Sequence, residues 1–179
     1  MKIFVIANQK GGVGKTTTVM NLGAALAQKG KKTLAVDLDP QSNLSSGLGF
    51  TQQFDKQSWK STDEAPYKNI YDVLVEGEPI SSVFVTTDTK NLFLLPSHLS
   101  LAGAEIEMVN MISRETLLKK ALENMTEKFD YVLIDCPPSL GLLTLNALSA
   151  AQKLIIPIQC EYFALEGLGQ LIETTKLIK

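Results

Sequence analysis

Two rhythms of apolar and polar residues alternate along this chain. Short, nearly continuous apolar runs stand at 2–7, 33–37, 91–95, 131–135 and 153–158, and between them helically spaced apolar residues fill 15–29, 100–111, 114–127 and 164–178. Runs apolar at every position read as strands buried on both faces. Their alternation with amphipathic helices predicts an α/β fold: a doubly wound, mostly parallel sheet with helices on both faces. The helix at 15–29 places Val19, Leu22 and Leu26 on one face and closes at Gly30, a C′ glycine. The helix at 114–127 carries Leu117, Leu118, Ala121, Leu122 and Met125 as its inward stripe, with Ser113 expected as its N-cap. Both stripes are ordinary core.

Two places depart from this pattern. From 52 to 68 the sequence is polar and mixed in charge, holds Pro66 and the only tryptophan, Trp59, and reads as a surface excursion from one domain spanning 1–179. Trp59 is expected to anchor that excursion on the body. His98, the sole histidine, stands in Pro96-Ser97-His98 at a strand-to-helix junction. No metal-ligand or triad spacing surrounds it, so its expected role is structural.

The chemistry concentrates in Asn8-Gln9-Lys10-Gly11-Gly12-Val13-Gly14-Lys15-Thr16-Thr17, which joins the first predicted strand to the first predicted helix. In that context the segment reads as a phosphate-binding loop, with Lys10, Gly11, Gly12, Val13, Gly14, Lys15, Thr16 and Thr17 as its binding set. Glycines let backbone N–H groups turn inward around phosphate oxygens, and the helix start adds the positive end of its dipole. Lys15 supplies a point charge and Thr16 a hydroxyl for magnesium. The expected ligand is a nucleoside triphosphate. Against the usual G-x-x-x-x-G-K-[ST] spacing, Gln9 replaces the first glycine and a second lysine, Lys10, stands inside the loop.

That departure resembles the deviant Walker A motif, K-G-G-x-G-K-[ST]-T, of the ParA/MinD family of P-loop ATPases. Further segments carry the resemblance along nearly the whole chain. Val36-Asp37-Leu38-Asp39-Pro40-Gln41 is similar to the family's second motif, and Tyr131-Val132-Leu133-Ile134-Asp135-Cys136-Pro137-Pro138-Ser139-Leu140-Gly141 to its Walker B strand and switch. Leu101-Ala102-Gly103-Ala104-Glu105 and the stretch 156–167 resemble the ParA/Soj branch, the partitioning ATPases of chromosomes and plasmids. The resemblance implies ATP and Mg2+ as ligands, an ATP-dependent sandwich homodimer, and Lys10 reaching across it to the partner's nucleotide. It also implies non-specific DNA binding, a ParB/Spo0J-type partner that stimulates hydrolysis, and a place on the nucleoid.

Phosphoryl transfer to water needs cationic groups, magnesium and an oriented nucleophile. Lys15 and the loop amides are expected to hold the β- and γ-phosphates, with Thr16 on magnesium and Asp135, at the end of an apolar strand, holding it through water. Asp39 is expected to position the attacking water near that cation, since the mouth of the second strand shares a sheet edge with the loop. The competing role for Asp39 is a turn residue before Pro40. Asp37 and Asp39 are read as pointing to opposite faces, so that at most one faces the nucleotide; by the family match that one is Asp39. The candidate catalytic set is Lys10, Lys15 and Asp39, and the candidate metal set Thr16, Asp39 and Asp135.

Composition trims the alternatives. A chain of 179 residues, 45% apolar, suits one compact domain, and a formal charge of −2 leaves any DNA contact to a local patch. No apolar stretch reaches the length of a membrane span and no leader pattern opens the chain, so a cytoplasmic protein is expected. Cys136 and Cys160 both fall in segments expected to be buried, which points to reduced, packed thiols. A MinD-like membrane-linked ATPase would need a basic amphipathic tail, which is absent from this sequence. In an iron–sulfur reductase of the nitrogenase type, Cys136 would have to face a bridging cluster, yet it directly follows Asp135 and points the other way. A nucleotide-gated adaptor without turnover is the third alternative. The chain stops at Lys179, where members of the family continue through strands that shape the adenine pocket and carry DNA-binding residues, so a C-terminal truncation of the family fold is expected.

Overall fold

The structure, a computed structural model, describes residues 1–50, 67–160 and 168–178. Six strands form one sheet in the order β3-β4-β2-β5-β1-β6. They are β1 (Lys2–Ile6), β2 (Thr33–Asp37), β3 (Val85–Thr86), β4 (Leu92–Leu95), β5 (Tyr131–Asp135) and β6 (Lys153–Ile155). All pairs are parallel except β3 with β4. Seven described α-helices accompany them: α1 (Lys15–Gln28), α2 (Asn43–Gly47), α3 (Ile70–Leu74), α4 (Leu101–Met108), α5 (Leu117–Glu123), α6 (Leu142–Ala150) and α7 (Leu168–Ile178).

Strand alternation divides the core into two layers. Ile3, Val5, Leu34, Val36, Val132 and Ile134 enter one apolar cluster, while Ile6, Ala35, Leu94 and Leu133 enter the other. The first is covered by α3 to α6 through Ile70, Val73, Leu101, Ala104, Leu118, Leu143 and Ala147. The second is covered by α1 and α2 through Val19, Ala27 and Leu44. Every residue of β2 is buried, as a central parallel strand requires. The doubly wound reading therefore holds.

Several boundaries differ from expectation. The helix at 114–127 is shorter, and its N-cap is Thr116; Ser113 instead sits in a turn at φ 59°. Asn146, buried in α6, supplies the missing cap: its Oδ1 accepts from the Leu118 N–H at 3.1 Å, and its amide donates to the carbonyls of Arg114 and Leu142. The last strand ends at Ile155, and Pro157, which cannot donate to a ladder, belongs to the following loop. Helix α6 was not foreseen, because it is apolar around most of its circumference and gives no amphipathic rhythm. Gly30 closes α1 at φ 75°, with the Lys31 N–H bonded to the Leu26 carbonyl, as a C′ glycine should.

The proposed excursion at 52–68 lies almost wholly outside the described residues, as do Trp59 and positions 161–167. At its flanks, Phe50 and Tyr67 meet edge to face at 4.9 Å, and the Tyr67 hydroxyl donates to the Ser97 carbonyl. His98 does sit at the junction of β4 and α4, where its Nδ1 accepts from the Ser100 N–H at 3.1 Å. Cys136 is buried but Cys160 is exposed, so only one of the two thiols is packed.

Candidate phosphate-binding site

The sheet order brings the predicted site together. Strand β1 lies between β5 and β6, and β5 lies between β1 and β2, so Asp135 stands opposite Ile6 on one side and Asp37 on the other. The loop from β1 into α1 leaves this sheet edge beside Asp135, with Asp37 one strand farther off. Gly12 and Gly14 hold φ values of 74° and 90°, conformations that L side chains rarely adopt. The Asn8 side chain ties the start of the loop to the segment after β6: Nδ2 donates to the Pro157 carbonyl at 2.8 Å and Oδ1 accepts from the Lys10 N–H at 3.0 Å.

Gly14 is the N-cap of α1 and has no side chain to offer, and no acidic residue stands in the first turn. The helix therefore presents open N–H groups and the positive end of its dipole, the requirements of an anion site. Lys15 is buried, and its Nζ donates to the Lys10 carbonyl at 3.3 Å, so the amine lies across the loop. Thr16 is half-buried beside Asp135, Thr17 is exposed, and Gly11 and Gly12 are open to solvent. Lys10 is half-buried with its main chain built into the loop.

The carboxylates divide sharply. Neither oxygen of Asp135 accepts a hydrogen bond from the described residues, although the side chain is almost completely buried. Burial raises its pKa from 3.8 to about 7; the Thr16 hydroxyl and Lys15 favour the charged form, while Asp37 and Asp39 oppose it. Thr16 thus lies near enough to act on the carboxylate without satisfying it. Asp37 is equally buried but fully engaged, its Oδ1 accepting from the Asp39 N–H and its Oδ2 from the N–H and hydroxyl of Ser45. Burial still lifts its pKa to about 6 against these bonds.

Asp39 is half-buried just past the end of β2, where its Oδ1 accepts from the Gln41 N–H at 2.9 Å. It is a turn residue, and its charge also reaches Asp135. The expectation that alternation separates Asp37 from Asp39 used the wrong period, since positions two apart share a strand face. They are separated because the strand ends at Asp37 and the chain turns. Sequence reading missed Ser45, whose only signal is the serine-rich Ser42-Asn43-Leu44-Ser45-Ser46 run after the aspartates.

No group of three or more His, Cys, Asp or Glu side chains among the described residues is placed to hold a metal ion unaided. A buried carboxylate without partners, next to a threonine hydroxyl, fits a magnesium ion that takes most of its other oxygens from phosphates and water. Open amides, one buried lysine and that carboxylate together suit a phosphate chain and its counter-cation. The class so defined is the P-loop nucleotide-binding fold.

Comparisons with known proteins agree. A family model described as an AAA domain matches residues 1–179. The sporulation initiation inhibitor protein Soj of Bacillus subtilis is 51% identical over 99% of this chain and 66% of its own length. The chromosome-partitioning ATPase Soj of Treponema pallidum is 50% identical over 99% of this chain and 65% of its own. Among solved structures, a cobyrinic acid a,c-diamide synthase of Mycobacterium smegmatis with bound ATP analog and magnesium superposes with a TM-score of 0.86 at 43% identity, over 99% of this chain and 68% of that one. The chain belongs to this AAA-domain family of P-loop proteins, in its ParA/Soj branch. It spans just under two thirds of the length of those two Soj relatives.

Proposed function

We propose that this chain is the P-loop domain, residues 1–179, of a partitioning ATPase that binds ATP with Mg2+ and hydrolyses it within an ATP-dependent homodimer. The observation that carries the reading is the unpartnered, buried Asp135 beside Thr16 and Lys15 at the open N-terminus of α1. Partners in this reading are a second copy of the chain, a ParB/Spo0J-type protein and, for a longer parent chain, non-specific DNA, in the cytoplasm on the nucleoid. The naming of two relatives as Soj, one of them a chromosome-partitioning ATPase, supports it. No helix among the described residues is long and apolar enough to cross a membrane.

Each residue has a defined task. The amides of Gly11 to Thr16 and the Lys15 ammonium hold the phosphate oxygens and favour the charge that builds during transfer. Thr16 and Asp135 would hold the magnesium ion, with Asp39 a further candidate; once bound, that ion would neutralise phosphate charge as a Lewis acid. Asp39, anchored through its own N–H, keeps a carboxylate oxygen available to orient water. Lys10 is assigned to the partner's nucleotide, since Lys15 already serves its own loop.

Single-turnover hydrolysis, measured on this chain and on any longer natural chain containing it, tests the proposal. Lys15→Ala should remove tight ATP binding, because each charge-assisted hydrogen bond is worth about 1.5–3 kcal/mol. Asp39→Ala should keep ATP bound and hydrolyse it far more slowly. Lys10→Ala should bind ATP as a monomer and lose the ATP-dependent dimer in light scattering. Unchanged ATP affinity in Lys15→Ala would refute the loop assignment, and normal turnover in Asp39→Ala the water-orienting role.

A further inference from the structure

The turn that carries Asp39 is fastened at both ends by one pair of side chains. Before it, Asp37 Oδ1 accepts from the Asp39 N–H at 3.1 Å. After it, Asp37 Oδ2 accepts from the Ser45 N–H at 2.8 Å and from the Ser45 hydroxyl at 2.7 Å. The Ser45 hydroxyl in turn accepts from the Ser97 N–H at 3.0 Å, which ties the arrangement to the segment following β4. Within the turn, Asp39 Oδ1 accepts from the Gln41 N–H, and the Asp39 carbonyl from the Ser42 N–H at 2.9 Å.

Helix α2 has five residues, too few to be stable by themselves, so its place depends on the buried Leu44 and on Ser45. Asp37 and Ser45 are both fully buried and spend their hydrogen bonds inside the protein. None of these bonds goes to the phosphate loop. Their bonds fix where the backbone of Asp39 stands, and a misplacement of about 1 Å at a reacting group costs about a hundredfold in rate.

We propose that Asp37 and Ser45 form a clamp that positions the Asp39 carboxylate for hydrolysis, making both of them positioning residues and neither a ligand of the nucleotide. The clamp rests on the reading of Asp39 as the water-orienting group. It acts through the Asp39 N–H and the start of α2, so its loss lowers turnover and leaves nucleotide affinity alone. Thr at position 45 keeps the hydroxyl that donates to Asp37 and accepts from Ser97; Ala removes both bonds while filling nearly the same space.

The test compares Ser45→Ala, Ser45→Thr, Asp37→Asn and Asp39→Ala by kcat, by ATP affinity from calorimetry, and by hydrogen exchange at the Asp39 and Gln41 amides. Ser45→Ala is expected to lower kcat tenfold or more. Its ATP affinity stays within twofold, the two amides exchange faster, and Ser45→Thr restores much of the rate. Asp37→Asn, which keeps the volume but puts an amide against the Ser45 donors, is expected to show the same split and stands in if Ser45→Ala does not fold. Normal kcat in Ser45→Ala and Asp37→Asn beside a slow Asp39→Ala overturns the clamp alone. Equal losses of kcat and affinity also overturn it. Normal turnover in Asp39→Ala overturns both the clamp and the reading it rests on.

Discussion

Strands β2 and β5 are neighbours that end in matched aspartates, and the protein treats the two ends in opposite ways. At the end of β2, Asp37 receives three hydrogen bonds from Asp39 and Ser45. At the end of β5, Asp135 receives none from the described residues. Both are buried, and burial lifts both above the ordinary carboxylate range. The difference separates a carboxylate that builds the protein from one that, in the function proposed above, a bound cation would complete. Burying a carboxylate without partners is costly, and a site that keeps one gives up stability until its ligand arrives.

The largest effect that would break this contrast is on folding. Asp37→Ala leaves two backbone N–H groups and a hydroxyl without their acceptor, each worth about 1–3 kcal/mol when buried, so urea unfolding should show a loss of about 3 kcal/mol or more. Asp135→Ala in the ligand-free protein should cost far less. Equal losses would mean that Asp135 has partners in solution. The next effect is on ligand-induced stability: Mg–ATP at a hundredfold excess over Kd adds about 2.7 kcal/mol to a protein that binds it only when folded. Asp135→Asn should lose most of that gain in thermal unfolding, whereas a full gain would remove Asp135 from the cation's coordination.

The smallest effect is the pH dependence of the ligand-free protein. Asp37 and Asp135 have folded pKa values of about 6 and about 7, against 3.8 for the ordinary group, so the folded state keeps protons that the unfolded chain releases. Their favourable contribution is complete below about pH 4 and is lost as pH rises through 6 and 7. Between pH 6 and pH 8 the fall should be about 1–2 kcal/mol, most of it from Asp135. Asp135→Asn should flatten the slope in denaturant unfolding; an unchanged slope assigns the proton elsewhere.

What could be read from sequence was whatever is local along the chain. The runs Thr33–Asp37 and Tyr131–Asp135 carry three or four successive apolar residues before a terminal aspartate, and they became strands with those bounds. The loop was legible because glycines, lysine and threonine at fixed spacing answer a single chemical demand. What was not legible depends on contacts across the fold. Asn146 caps a helix 28 positions away from the Leu118 N–H it serves. Ser45 gains its importance from Asp37 and Ser97 together, and α6 hides its burial by being apolar nearly all round. The lack of partners at Asp135 is a property of the packed interior that its neighbours in sequence do not carry.

Strand β1 finds its neighbours only in β5 and β6, with Lys2 opposite Tyr131 and Phe4 opposite Lys153. During synthesis β1 is therefore unable to take its place in the sheet until residue 131 has been added, and its second edge stays open until residue 153. Ile3, Phe4, Val5 and Ile6 spend that interval as an exposed apolar segment waiting for a distant match. Such long-range parallel pairing is slow and exposed to aggregation. The loop after β1 is thus among the last parts of this sheet edge to take shape, and a ribosome stalled before Tyr131 should carry a nascent chain that chaperones hold and nucleotide does not rescue.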